Sequence, residues 1–229
     1  MSLPVAYAAL ITGVVIWLVL VRLLSTKSWE TQPATAADAT QSRLPPARVG
    51  LWVFLAVVTS LFGLFISAYY MRMGGHGAGG DVAVEDWISL PEPPVLWLNT
   101  LLLVFASIAM QMARSAVTRG QPERTWTSLL LGGLLTLAFL AGQFYAWHIV
   151  RESEFFTPHN PAIAFFYLLT AVHGAHLLGG LYVWSRTLNR MRRKDVELID
   201  VKLSVELCSV YWHYLLLVWL GVFAVLLST

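Results

Sequence analysis

Apolar positions along this chain neither alternate with polar ones nor keep to a single helical stripe. They run on for about 20 residues at a time in six separate places. The runs lie at 3–24, 51–71, 94–113, 126–150, 162–185 and 204–228. A hydrocarbon core about 30 Å thick takes roughly 20 residues of helix to cross, and each run meets that length. None shows the period-two pattern of a membrane barrel strand, and helices alone satisfy every backbone amide within one segment. The pattern predicts an all-α, polytopic membrane bundle of six transmembrane helices. The first run reads as a helix rather than a signal peptide: no basic residue precedes it, and the nearest small-x-small site, Ala34-Thr35-Ala36, is far downstream.

The segments between runs set the organisation. Residues 25–49, rich in Thr, Ala, Gln and Pro and ending in Leu44-Pro45-Pro46, read as a loosely ordered linker. It separates a first helix at 1–24 from one membrane domain of five helices at 50–229. The run Gly74-Gly75-His76-Gly77-Ala78-Gly79-Gly80 lacks the Lys-Ser/Thr and the strand-turn-helix setting of a phosphate loop, and is expected to be a flexible outer loop.

Composition removes the soluble alternative. Of 229 residues, 57% are hydrophobic and 12% charged, about half the charge of an ordinary globular domain. A net charge of +2, dispersed among loops, gives no basic patch for nucleic acid. Cys208 is the single cysteine, which excludes an intrachain disulfide and a cysteine-based zinc site. Thirteen of the fifteen Lys and Arg residues fall in the linker regions after the first, third and fifth runs, against Arg72 and Arg151 on the other side. The positive-inside rule makes those three loops cytoplasmic and places both termini outside.

Polar residues inside the runs carry the remaining information, because each is costly there unless it faces protein, a head group or a cavity. Thr59, Ser60, Gly63, Ser67 and Tyr70 share a stripe, as do Thr136, Gln143 and Trp147, then Thr170, His173, His176 and Gly180, and finally Glu206, Ser209 and His213. Gly63, Gly132, Gly133, Gly174, Gly179 and Gly180 are expected to admit close helix packing. His173 and His176 share one face, and His213 on the next helix has a matching depth to His176. A site of three imidazoles and neutral histidines bonding between helices are both compatible with this spacing. Under the second reading His176 and His213 bond to each other directly or through a water, and Glu206, nearer the cytoplasm, meets Arg, Lys or a polar backbone group.

Three segments resemble a known family. Phe166-Tyr167-Leu168-Leu169-Thr170-Ala171-Val172-His173-Gly174-Ala175-His176 is similar to the Thr-Gly-Phe-His-Gly-x-His signature of subunit III of the haem-copper cytochrome c oxidases. Glu206-Leu207-Cys208-Ser209-Val210-Tyr211-Trp212-His213-Tyr214, followed by Val218-Trp219-Leu220, resembles the family's last helix. Pro94-Val95-Leu96-Trp97-Leu98-Asn99-Thr100 is similar to its Pro-x-x-Asn-Thr start of a middle helix, and Gln143 and Trp147 add weaker matches. Two departures stand out. The mitochondrial-type members have seven helices against six here, and the family's buried carboxylate in the helix matching 51–71 is replaced by Val57 or Val58.

The resemblance implies a non-catalytic subunit of a proton-pumping terminal oxidase in aerobic respiration. No cofactor is expected on this chain; haem and copper are expected in the partner subunits I and II. Its helices would form a V whose cleft, between the first two helices and the other four, holds structural phospholipid. The family is associated with sustaining proton uptake and protecting the catalytic subunit. Residues expected to contact lipid or a neighbouring subunit are Trp52, Tyr70, Gln143, Trp147, His173, His176, Glu206, Tyr211, Trp212 and His213, with Arg22, Arg43 and Arg48 meeting anionic head groups. Alternatives are subunit III of a quinol oxidase, an accessory protein of a nitric oxide reductase, and a stand-alone membrane metalloenzyme built on His173, His176 and His213.

Overall fold

A computed structural model describes residues 46–73, 94–152, 160–192 and 198–228. The chain divides into two units, Met1–Val49 and Gly50–Thr229, and the second holds nearly all of these residues. The described residues form five helices: α1 (Pro46–Met73), α2 (Val95–Thr118), α3 (Pro122–Glu152), α4 (Pro161–Met191) and α5 (Leu198–Leu227). All five are long and apolar enough to cross a membrane. The expected span at 3–24, and with it the six-helix count and the V, lies outside the described residues, as do the glycine-rich segment, Arg22 and Arg43.

Most helices extend beyond their apolar runs. α3 begins at Pro122 rather than 126, α5 at Leu198 rather than 204, and α4 continues to Met191 rather than 185. The added turns carry Glu123, Arg124, Arg186, Arg190, Asp200 and Lys202, which a hydropathy window excludes but which a helix emerging at head-group level tolerates. Starts and turns follow local chemistry. The Asn160 side chain accepts from the Ala162 amide at 3.0 Å, and Pro161 occupies the first helical turn, where its missing N–H costs nothing. Between α2 and α3, Gly120 at φ 69° makes the reversal, with the Gln121 amide bonded to the Ala116 carbonyl at 3.0 Å.

Helices α2 to α5 close into a four-helix bundle in which α2 packs on α3, α3 on α4, α4 on α5 and α5 on α2. The α2 and α3 backbones approach closely because Ala106, Ala109, Ala113 and Ala116 make a buried small-residue face on α2. At Gly132 of α3 an added Cβ would lie 2.9 Å from the Met110 methyl. The core holds large apolar side chains without gaps of charge: Phe139 stands edge-on to Trp219 at 4.9 Å, and Phe223 edge-on to Trp97 at 4.9 Å. Leu103, Leu129, Leu177 and Leu215 are completely buried beside them.

α1 joins this bundle differently. It runs parallel to α5 and reaches it through long side chains rather than close backbone pairing. The Tyr214 hydroxyl bonds Leu55 O at 3.1 Å and Thr59 Oγ1 at 2.9 Å, and the Tyr70 hydroxyl lies 3.2 Å from Ser228 Oγ. Val58, Phe62 and Tyr69 pack against Leu169 of α4 and Val218, Val222 and Val225 of α5. Tyr214, Phe62 and Phe165 fill the space between α1 and its neighbours α4 and α5 along this line. Only 17% of the most apolar α1 window is buried, against 39% in each other helix, so among the described residues nothing covers the opposite face of α1.

Candidate functional site

One bonding unit recurs through the bundle. Three tryptophans each donate their indole N–H to a threonine hydroxyl on a neighbouring helix: Trp147 to Thr170 at 2.9 Å, Trp212 to Thr136 at 2.8 Å, and Trp219 to Thr100 at 2.9 Å. Each threonine in turn donates to the carbonyl four residues earlier in its own helix, at Phe166, Gly132 and Leu96. Every donor in the relay is thereby satisfied without water or charge, which an apolar medium requires. Thr59 takes the same part for Tyr214, donating to Leu55 O at 2.8 Å.

Glycine supports a second version. The ring of Tyr211 lies over Gly180, where an added Cβ would meet it at 2.7 Å, and its hydroxyl donates to His176 O at 2.9 Å. Trp184 lies over Gly133, with a Cβ to ring distance of 2.1 Å, and donates to Leu129 O at 2.8 Å. In each case the ring covers a glycine and its polar tip reaches the carbonyl one turn before it. Gly142 is similarly constrained by Asn99, a position absent from the sequence expectation. Among the described residues Gly63 and Gly179 meet nothing within 4 Å and Gly174 meets only Leu140, so these three mark no close approach between the five described helices. A glycine in a helix sequence does not reveal which way its open side points.

The expected site residues fall into distinct settings. Gln143 is buried and accepts from Asn99 Nδ2 at 3.4 Å. Asn99 Oδ1 and Gln143 Nε2 have no partner among the described residues. Trp147 and Tyr211 bond helices to one another, their polar tips used at Thr170 and His176 O. Trp147 also accepts, through its carbonyl, from the Tyr167 hydroxyl at 2.9 Å. Trp212 is fully buried, whereas Trp52 on α1 is 61% exposed and Tyr70 half-buried. Arg48 and Glu206 are half-buried, near the N-terminal ends of α1 and α5.

The three histidines diverge. His173 is completely buried between Phe139 and Trp219, and its Nε2–H donates to Leu215 O at 3.1 Å, fixing the proton on that nitrogen because a carbonyl only accepts. His176 donates from Nδ1 to Val172 O of its own helix at 2.7 Å, with Phe54 and Phe62 against its ring. His213 lies on the outer surface of α5, its Nδ1 3.2 Å from Ser107 Oγ on α2. The expected bond between His176 and His213 is not made directly. Equal depth brings two helical residues to one level but leaves their azimuths free: the His176 ring meets Phe54 and Phe62 of α1, and His213 meets Ser107 of α2. Among the described residues no three His, Cys, Asp or Glu side chains gather as a metal site, and the three-histidine metalloenzyme loses its ligand set.

Sequence reasoning passed over the polar face of α2. Ser107 and Gln111 meet α5, with Ser209 Oγ donating to Gln111 Oε1 at 3.3 Å. The signal was present: Ser107, Gln111 and Ser115 recur every four residues in an otherwise apolar helix. They line an open groove of about 820 Å³ that also takes in Arg119, Arg124 and His213.

Known proteins carry the same pattern. The family model for cytochrome c oxidase subunit III matches residues 10–228. Cytochrome c oxidase subunit 3 of Alkalihalophilus pseudofirmus is 28% identical over 178 residues, 77% of this chain and 84% of the relative. The same subunit of Bacillus sp. (strain PS3) is 30% identical over 179 residues, covering 77% and 83%. Cytochrome bo(3) ubiquinol oxidase subunit 3 of Pseudomonas putida is 24% identical over 180 residues, covering 77% and 83%. With a match running through all five described helices and both histidine-bearing signatures, the chain belongs to the cytochrome c oxidase subunit III family.

Proposed function

We propose that this subunit III of a haem-copper oxidase is the non-catalytic partner of subunits I and II, with haem and copper carried by those subunits. It stabilises the catalytic subunit during turnover and supports proton uptake. The observation that carries this reading is the relay of Trp, Tyr, Thr and carbonyl groups. It uses the polar side chains of the interior to hold helices together and leaves no converging ligand set among the described residues. The test is removal of this chain from the purified complex. The haem spectrum and initial oxygen-consumption rate should persist while the active lifetime shortens; an immediate loss of electron transfer would refute a supporting role.

Structural phospholipid is proposed on the open face of α1, where Trp52 and Val57 are about 60% exposed and Leu64 is 69% exposed. Separately, the sequence alone supports Arg22, Arg43 and Arg48 as partners for anionic head groups. The basic ends of the α2–α3 turn and of α4 support a cytoplasmic side there, and thus an inner-membrane chain with both termini periplasmic. Cytochrome c is the donor suggested by the first relatives. A quinol donor is the second reading, favoured by the equal coverage of the Pseudomonas putida relative.

A further inference from the structure

The groove between α2, the start of α3 and α5 presents polar groups at the middle of the membrane to the outside of the bundle. Ser107 lies midway along α2, and His213 midway along the Val201–Leu227 span. His213 and Gln111 are exposed. Each has one side used, His213 Nδ1 toward Ser107 and Gln111 Oε1 toward Ser209. The remaining polar atom of each, the ring Nε2 of His213 and the amide Nε2 of Gln111, has no partner among the described residues. Hydrocarbon offers nothing to either group, so an acyl chain lying here would leave both unsatisfied. Toward the N-terminal end of α3 the groove opens between Arg119 and Arg124, with Glu123 as the one carboxylate among its described lining residues. Apolar Ile108 and Met112, each about half exposed, form the flanks.

Resting on the reading of this chain as an oxidase subunit, we infer that this groove seats a transmembrane helix of another subunit. That helix carries hydrogen-bonding side chains opposite Gln111 and His213 and a carboxylate opposite Arg119 and Arg124. A protein helix fits where lipid does not, because it brings polar side chains to mid-membrane depth and a carboxylate to the charged end. Interhelical polar contacts of this kind are the ordinary adhesive of membrane bundles.

The test is photo-crosslinking in the assembled complex in native membranes, with p-benzoylphenylalanine replacing Ile108 or Met112, and Tyr182 on the exposed face of α4 as control. Both groove positions should crosslink to a transmembrane peptide of a different subunit, and position 182 should not reach that peptide. Gln111→Leu with His213→Leu should lower retention of the subunit in detergent by about threefold for each lost bond. Crosslinks from the groove only to lipid, to a second copy of this chain, or to residues 3–24 of the same chain would overturn the inference. Haem co-purifying with the tagged chain, scored on the same sample, separates the two possible failures. With haem present and no crosslink to another subunit, the groove assignment falls and the oxidase reading stands; with haem absent, both fall.

Discussion

The Trp212 indole illustrates how the interior polar groups are satisfied. Its N–H ends on Thr136, whose own hydroxyl proton is already given to Gly132 O. Trp212→Phe removes a donor but orphans nothing, so the cost should be near the membrane average of about 0.6 kcal/mol and below about 2 kcal/mol. Gly133→Ala acts by volume instead. Its Cβ would fall 2.1 Å from the Trp184 ring, displacing the ring and its bond to Leu129 O, an overpacking cost of about 1–3 kcal/mol. Gly179→Ala meets nothing within 4 Å and should change stability by less than about 0.5 kcal/mol. Detergent titrations of the complex, read as the fraction of subunit retained, should rank the three variants in the order Gly133→Ala, Trp212→Phe, Gly179→Ala from most to least disruptive.

Helices were legible in the sequence because a hydrocarbon solvent demands long apolar runs, and each of the five described helices covers all but at most one residue of a predicted run. Their ends were less legible, since turns bearing Arg186, Arg190, Asp200 and Lys202 are helical yet too polar for a hydropathy window. Polar stripes on α3, α4 and α5 were also readable, and Thr136, Thr170, Gln143 and Ser209 are indeed buried. What one sequence withholds is azimuth between helices: His176 and His213 face different neighbours, and the Tyr211 hydroxyl turns toward His176 O. The attachment of α1 depends on such a detail. Tyr214→Phe removes the hydroxyl that meets both Leu55 O and Thr59, while Phe62 and Tyr69 still pack. We expect α1 to stay inserted but to loosen, seen as faster alkylation of a cysteine placed at Val58, with little change in the protection of Ala106 on α2.

At the largest scale, the described residues form a closed bundle of α2 to α5 with α1 attached, and lipid is proposed for the apolar face of α1 and a protein helix for the polar groove on another flank. Neutralising Arg22, Arg43 and Arg48 together should reduce the phospholipid retained by the mildly purified complex, as measured by mass spectrometry of extracted lipid. Unchanged retention would remove those arginines from the head-group site. The central claim is that this chain supports an oxidase whose redox chemistry is done elsewhere. Its most direct test is to purify the complex through a tag on this chain, then separate the chain and record reduced-minus-oxidised spectra and metal content of both fractions, with oxygen consumption over time. The account predicts that haem and copper remain with the other subunits, which begin turnover at nearly the original rate but inactivate sooner. Stoichiometric haem or copper on the separated chain, or a depleted complex that cannot begin turnover, would contradict it.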